Sequence, residues 1–180
     1  MNHENIIKTW KKKKYNGDTI YLKPMEADDI QFMVAMRNQE RSRYYLNQAE
    51  DSTVEAQTNW FKSYVSKNDD IYWVYCDKET DQKLGTIRLY NIEDEECEIG
   101  SSTADLSVKD SYFSFMEAHS VAMRFALEEL KMPMLHADVR VDNKFVDAVL
   151  RRIGFEFKKV IDIRGVDYNY YKFYSNEKEG

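Results

Sequence analysis

Few residues in this chain combine a reactive type with a setting that suits chemistry. Glu98 is the first. It lies in the segment Cys97-Glu98-Ile99-Gly100, which reads as a strand. Strand alternation sends Cys97 and Glu98 to opposite faces. A carboxylate so placed can take a proton from an ammonium group directly or through water, and partial burial raises its pKa toward working pH. The competing reading is a solvated acidic patch, because Glu93, Asp94, Glu95 and Glu96 precede it. With Cys97 on the other face, a cysteine acyl-enzyme is disfavoured. His119 and His136 each titrate near neutrality when unperturbed. Neither has a Ser or Cys partner at a recognisable spacing, so a packed or surface role is the simpler reading. Cys76 and Cys97 lack metal-ligand spacing, and no metal site is expected. Ser114 suits a helix N-cap, and Tyr112, one of 13 tyrosines, suits ordinary packing.

The elements that must position these residues are best marked around residues 142–155. Asp142 or Asn143 can cap a helix start. Val146, Val149, Leu150 and Ile153 make one apolar face, and Gly154 fits the left-handed position after the last turn. A strand over 135–141 precedes this helix and another over 155–163 follows. Upstream, residues 1–18 read as a loose N-terminal lead-in and 19–180 as one domain. Residues 19–24 read as a strand ended by Pro24, and 26–37 as a helix. A second helix starts at Ser52 in a capping-box pattern with Glu55 and ends near 67. Strands follow at 71–76, 83–90 and 97–104, with polar turns at 77–82 and 93–96. A long helix spans 114–131, and a last strand spans 168–174. The predicted order is β-α-α-β-β-β-α-β-α-β-β. It implies an α/β (α+β) fold with a mixed central sheet of about seven strands flanked by about four helices.

The chain carries a net charge of −6, which argues against a general nucleic-acid binder and suits a cationic or amine substrate. The lysine run 11–14 reads as a solvated segment. The first twenty residues show no apolar signal region, and no apolar run approaches the roughly 20 residues that cross a bilayer. The expectation is a cytoplasmic protein with no membrane partner.

The strand–Asn143–helix–Gly154-Phe155–strand unit resembles the C-terminal core of the GCN5-related N-acetyltransferases, the GNAT superfamily. Further local features agree: Arg37-Asn38, Asn59-Trp60-Phe61, Leu84-Gly85-Thr86-Ile87 and Glu98-Ile99-Gly100. They resemble the RimJ/RimL-like subgroup, which includes amino-sugar N-acetyltransferases. The resemblance covers residues 19–174 and implies an acetyl-CoA-dependent enzyme that acetylates a small-molecule amine, with a nucleotide-linked amino sugar as the leading acceptor. Protein N-terminal acetylation is the alternative within the same class. A homodimer is compatible with it.

The resemblance also implies site residues. Glu98 would be the general base. The family's tyrosine acid falls on Leu150, leaving Ser114 and Tyr112 as replacements. Asn143 would meet the pantetheine arm, and Thr103 and Asp105 would offer it main-chain groups. The pyrophosphate would sit on residues 110–115 at the start of the long helix, held through Ser111, Phe113, Ser114 and Phe115. There the family reads Gln/Arg-x-x-Gly-x-Gly/Ala, whereas this chain reads Asp110-Ser111-Tyr112-Phe113-Ser114-Phe115. Lys109 or Arg152 would then supply the missing positive charge. If the Phe rings fill the groove, the fold becomes a non-catalytic binding module; if they leave the amides free, it remains an enzyme.

Overall fold

The computed structural model describes residues 3–175. Strands β1 (Tyr15–Asn16), β2 (Ile20–Pro24), β3 (Ile71–Asp77), β4 (Lys83–Tyr90), β5 (Glu96–Ala104), β6 (Met134–Arg140), β7 (Glu156–Ile163) and β8 (Val166–Tyr174) form one sheet. Its order is β1-β2-β3-β4-β5-β6-β8-β7. Every neighbouring pair is antiparallel except β5 and β6. The helices are α1 (His3–Trp10), α2 (Ile30–Asn38), α3 (Glu40–Tyr45), α4 (Val54–Tyr64), α5 (Ser111–Glu128) and α6 (Lys144–Arg152), with a 3-10 turn at Ala27–Asp29. The predicted order holds from β2 onward, with three additions: α1, β1 and the short α3.

One face of the sheet carries the main core. Trp73, Ile87, Leu89, Ile99 and Leu135 pack beneath Ala118, Ala122, Phe125 and Ala126 of α5. The small residues let the helix sit close to the sheet, and Phe125 fills the space between. Its ring meets Trp73 edge-on at 5.1 Å. Full burial of such a side chain contributes about 1.5–3 kcal/mol. On the other face, α2 and α4 cover Tyr72 with Met25, Ile30, Met33 and Tyr64. That apolar cover includes no residue of β5 or β6, so Glu98, His136 and Asp138 remain only half-buried. This uncovered polar strip becomes the site.

Residues 3–18 are not a loose lead-in. Ile7 is fully buried, and Trp10 packs edge-on against both Phe125 and Tyr15. Lys11 donates to the carbonyls of Tyr64 and Lys67 at 3.0 and 2.8 Å, and burial lowers its pKa to about 8. The helix is short, and only Ile6, Ile7 and Trp10 carry its apolar stripe, so the adjoining lysine run masks it in the sequence. One helix start also moves, and another is settled between two candidates. Thr53, not Ser52, caps α4 by accepting from the Ala56 N–H at 3.1 Å. Ser52 is engaged elsewhere, its N–H donating to Asn38 Oδ1 at 2.8 Å. For α6, Asn143 is the cap, accepting from the Val146 N–H. Gly154 takes φ +100°, as a left-handed helix end requires.

Candidate active site

The parallel pairing of β5 with β6 is brief. It covers Glu96–Met134, Cys97–Leu135 and Glu98–His136 and then stops, although β5 continues to Ala104 and β6 to Arg140. The two strands splay, and a cavity opens between them. Gly100 to Ala104 line one wall and Ala137 to Arg140 the other. Phe115 and His119 of α5 and Leu150 of α6 close the inner end, while Arg41 and Tyr45 of α3 stand at the mouth.

The β5 wall is irregular for a local reason. The ladder pairs Thr86 with Thr103 and Arg88 with Gly100, so Ser101 and Ser102 together oppose Ile87. Ser101 takes φ +47°. This bulge turns the strand and leaves a stretch of main chain with no β6 partner. Thr103 anchors the far end. Its Oγ1 lies 2.8 Å from Thr86 Oγ1, and its carbonyl accepts from the Tyr75 hydroxyl at 3.0 Å. Gly85 must be glycine here, because a Cβ would collide with the Thr103 carbonyl and the Tyr75 hydroxyl.

The loop into α5 differs from the expectation. The helix begins at Ser111, three residues early, because Asp110 takes the left-handed conformation (φ +61°) and starts the turn. The Phe113 and Ser114 N–H groups donate to the Asp110 carbonyl at 2.9 and 3.4 Å, so neither is free for a ligand. The N–H groups of residues 109–112 have no partner among the described residues. The free donors therefore overlap the predicted set only at its upstream end, where they include Ser111 but not Phe113 or Ser114. Phe113 points outward and is 62 % exposed. Phe115 turns inward, 5.2 Å from Phe145 and 4.3 Å from the His119 ring, and forms cavity wall.

Two carboxylates flank the site. Glu98 accepts from the Tyr90 hydroxyl on one oxygen and from Asn91 Nδ2 at 3.1 Å on the other. Burial pushes its pKa up, against the pull of those donors and of Arg88. Arg88 is itself fixed by Asp70, which is 1 % exposed, with Nε at 2.8 Å from Oδ1. Glu98 stands beside the cavity and does not line it. Asp138 does line it, and its Oδ1 is buried with no hydrogen-bond partner. Burial and then the charge of Glu98 push the Asp138 carboxyl up.

The remaining predicted residues divide clearly. Asn143 and Thr103 line the cavity. Asp105 does not: its N–H donates to the Leu84 carbonyl at 2.7 Å and its carboxylate caps Ser107. Ser114 donates to the Ser111 carbonyl at 3.1 Å inside the first turn of α5, so it is neither the N-cap nor part of the cavity wall. Tyr112 packs on Phe145 at 5.2 Å, outside the cavity lining. Neither hydroxyl is brought to Glu98. Leu150 lines the cavity as an apolar side chain. His119 is fully enclosed, its Nδ1 2.8 Å from the Phe115 carbonyl oxygen, and burial lowers its pKa to about 4. Cys97 faces the core, where burial pushes the thiol up to about 12. Trp60 and Tyr64 stack on each other at 5.1 Å away from the cavity. Arg41 and Arg140, rather than Lys109 or Arg152, are the cations of the cavity lining; Arg140 is paired with Asp142, and Arg41 makes no ion pair among the described residues. No group of three or more metal-ligating side chains occurs among the described residues.

Residues 19–156 match the model of the acetyltransferase (GNAT) domain. The chain belongs to the GNAT acetyltransferase family. It is an acyltransferase, and acetyl-CoA is its co-substrate. Solved GNAT structures share the fold at low sequence identity. A protein described as FdhC, a nucleotide-linked sugar GNAT, is 18% identical, with TM-score 0.77 and coverage of 90% of each chain. Spermidine N-acetyltransferase from Vibrio cholerae, in complex with CoA and spermine, is 15% identical, with TM-score 0.77 over 87% of this chain and 95% of that one. Ribosomal-protein-S5-alanine acetyltransferase from Vibrio fischeri is 15% identical, with TM-score 0.75 over 93% and 100%. Comparison with curated protein sequences finds no match. No helix of the GNAT domain among the described residues is long and apolar enough to cross a membrane.

The sequence reading missed Asp138 and Arg41. The signal for Asp138 is present in His136-Ala137-Asp138-Val139-Arg140. Alternation there puts polar residues on one face of a central strand, and a central strand has a polar face only where that face is left open.

Proposed function

We propose that this GNAT enzyme transfers acetyl to the primary amine of a small metabolite by direct attack, with a nucleotide-linked amino sugar as the acceptor. The observation that carries the reading is the cavity between splayed β5 and β6 with carboxylates on its rim. The residues present fit acetyl-CoA. The free N–H groups of residues 109–112, at the positive end of α5, suit the pyrophosphate. Arg41 adds a positive charge. Asn143, Thr103 and the main chain of Ser101 and Ser102, which has no β6 partner, suit the pantetheine arm, and Phe115 and Leu150 offer it apolar walls.

Acetyl-CoA supplies an activated acetyl thioester when bound. The protein's part is to hold an amine against it, to remove a proton, and to donate to the carbonyl oxygen as it gains charge. Main-chain N–H groups at the β5 bulge suit that last task. The Glu98–Asp138 pair suits the second. A phenolic acid is lacking at Leu150, so the departing thiolate takes its proton from solvent.

The acceptor class follows from the face beyond Asp138. Tyr170 lies opposite Asp138 in register, and its ring is 5.7 Å from that of His136. Around it, Lys158, Lys159, Lys172 and Tyr174 line an open groove. An acceptor with an amine at the carboxylates and an anionic group at the lysines matches this layout. A polyamine would meet like charge there. The test is a panel of a UDP-linked amino sugar, free glucosamine, spermidine and an N-terminal alanyl peptide. The reading predicts the highest kcat/KM for the UDP-linked sugar. It also predicts that Lys159→Ala with Lys172→Ala raises KM for that acceptor and leaves glucosamine unaffected. Preference for spermidine or the peptide overturns it.

A further inference from the structure

Glu98 and Asp138 share a face of the sheet and differ in what surrounds them. Both oxygens of Glu98 are committed, one to the Tyr90 hydroxyl and one to Asn91. Neither faces the cavity. Asp138 lies one pleat past His136, the last β6 residue paired with β5. It is therefore the first carboxylate inside the splay. Its Oδ1 is enclosed by protein and accepts from nothing. A buried oxygen without a donor is costly, and a catalytic role is one of the recognised reasons for keeping one. The charged and titratable groups around it are Glu98 on β5, Arg88 and Tyr90 on β4, His136 and Arg140 on β6, Tyr168 and Tyr170 on β8, and Arg41 on α3. Arg140 is already paired with Asp142 and Arg88 with Asp70, so neither cation is spent on Asp138.

We infer that Asp138 receives the acceptor's ammonium group and takes its proton, and that Glu98, locked by Tyr90 and Asn91, is the positioning charge that keeps Asp138 basic. The inference rests on the acetyl-transfer reading above. The ammonium donates to Asp138 Oδ1, and the N–H bond breaks with its electron pair left on nitrogen. The neutral amine attacks the acetyl carbonyl carbon. The C–N bond forms, the C–S bond breaks, and the surplus proton of the attacking nitrogen passes through water to the departing thiolate, leaving a neutral amide and the CoA thiol. The proton on Asp138 passes to solvent through the open cavity mouth. Burial and Glu98 both raise the Asp138 carboxyl, which suits a base working near neutrality.

The test compares Asp138→Asn and Glu98→Gln with wild type, using the best acceptor of the amine panel. Asp138→Asn is expected to lower kcat/KM for the amine by about 10²–10⁴-fold and to leave acetyl-CoA affinity unchanged in calorimetry. Its residual rate should climb with pH as free amine accumulates. Its melting temperature at pH 8 should hold or rise, because a buried unpaired charge has been removed; a merely structural aspartate would show the opposite. Glu98→Gln should keep the ascending pH limb but move it to lower pH, since the neighbouring negative charge is gone. Near-normal kcat/KM and an intact limb in Asp138→Asn, with the limb lost in Glu98→Gln, overturn the assignment in favour of Glu98. If wild type acetylates no amine of the panel, the acetyl-transfer reading fails first. The Asp138 assignment is then judged by a carbon-13 carboxyl titration. An Asp138 that titrates above the ordinary aspartate range and falls in Glu98→Gln supports the Glu98–Asp138 coupling and places the failure on the acceptor or the acetyl transfer, whereas an Asp138 that titrates normally overturns the assignment itself.

Discussion

Asp110 is the residue where this chain departs most from its family's loop, and its geometry makes a quantitative prediction. Its carboxylate makes no capping bond, and it sits among the free N–H groups of residues 109–112. With an N–H···O bond of about 2.9 Å, an anion held there lies roughly 6 Å from the carboxylate. Two unit charges at roughly 6 Å repel by about 0.7 kcal/mol in water, and a doubly charged pyrophosphate by about 1.4 kcal/mol. A Debye length of about 8 Å at physiological salt halves this, while one of about 30 Å at 0.01 M leaves most of it. Asp110→Asn removes the charge and keeps a residue that tolerates the left-handed conformation. It should therefore tighten CoA binding by about threefold at physiological salt and about sevenfold at 0.01 M. The assay is calorimetric titration at both salts, with pantetheine as the probe that lacks the pyrophosphate. No gain for CoA at either salt, or an equal gain for pantetheine, would refute the placement of the pyrophosphate at the start of α5.

Other outcomes follow from the same contacts. Arg88→Met leaves buried Asp70 with only Lys67, whose Nζ is 3.8 Å away, and should cost about 3 kcal/mol in urea unfolding, with Asp70→Asn in the same chain recovering most of it; equal loss in single and double variants would contradict this. Ile7→Ala should cost about 2–4 kcal/mol, whereas a loss below about 0.5 kcal/mol would return residues 3–18 to the status of a dispensable lead-in. Glu117 accepts from the Asp18 and Thr19 N–H groups at 2.6 and 2.9 Å, and these donors help hold its pKa below the usual range against burial. Such a group stabilises the fold above its unfolded pKa of about 4.3, and the contribution is lost as pH falls through the folded value. Glu117→Gln should thus cost about 1–2 kcal/mol at pH 7, and the gap to wild type should close in melting curves taken near pH 3.

Much of the scaffold is legible because its signals are local. Asn143 and Gly154 bracket α6 in four turns of chain or fewer, and the alternating or β-rich segments of β3 to β6 announce themselves. Glu98 is legible as a strand carboxylate, but not the two donors that occupy its oxygens. Tyr90 reaches it only through the β4–β5 register, which no short window encodes. The start of α5 is misplaced because Asp110 adopts a left-handed conformation without glycine to mark it. α1 is missed because its cohesion comes from partners outside the helix, Phe125 above all, and not from its own propensity. Asp138 is overlooked because one polar residue in a β strand ordinarily signals solvent. Only the loss of β5–β6 pairing beyond His136 turns that position into a cavity wall.

Function here depends on whether the splayed strands and the unusual loop hold the co-substrate. Titration of acetyl-CoA into the purified protein by calorimetry tests this most directly. One-to-one binding in the micromolar range, weakened by salt, is the predicted result. Absence of heat at millimolar acetyl-CoA would contradict it and make a non-catalytic GNAT-like binding module the better description.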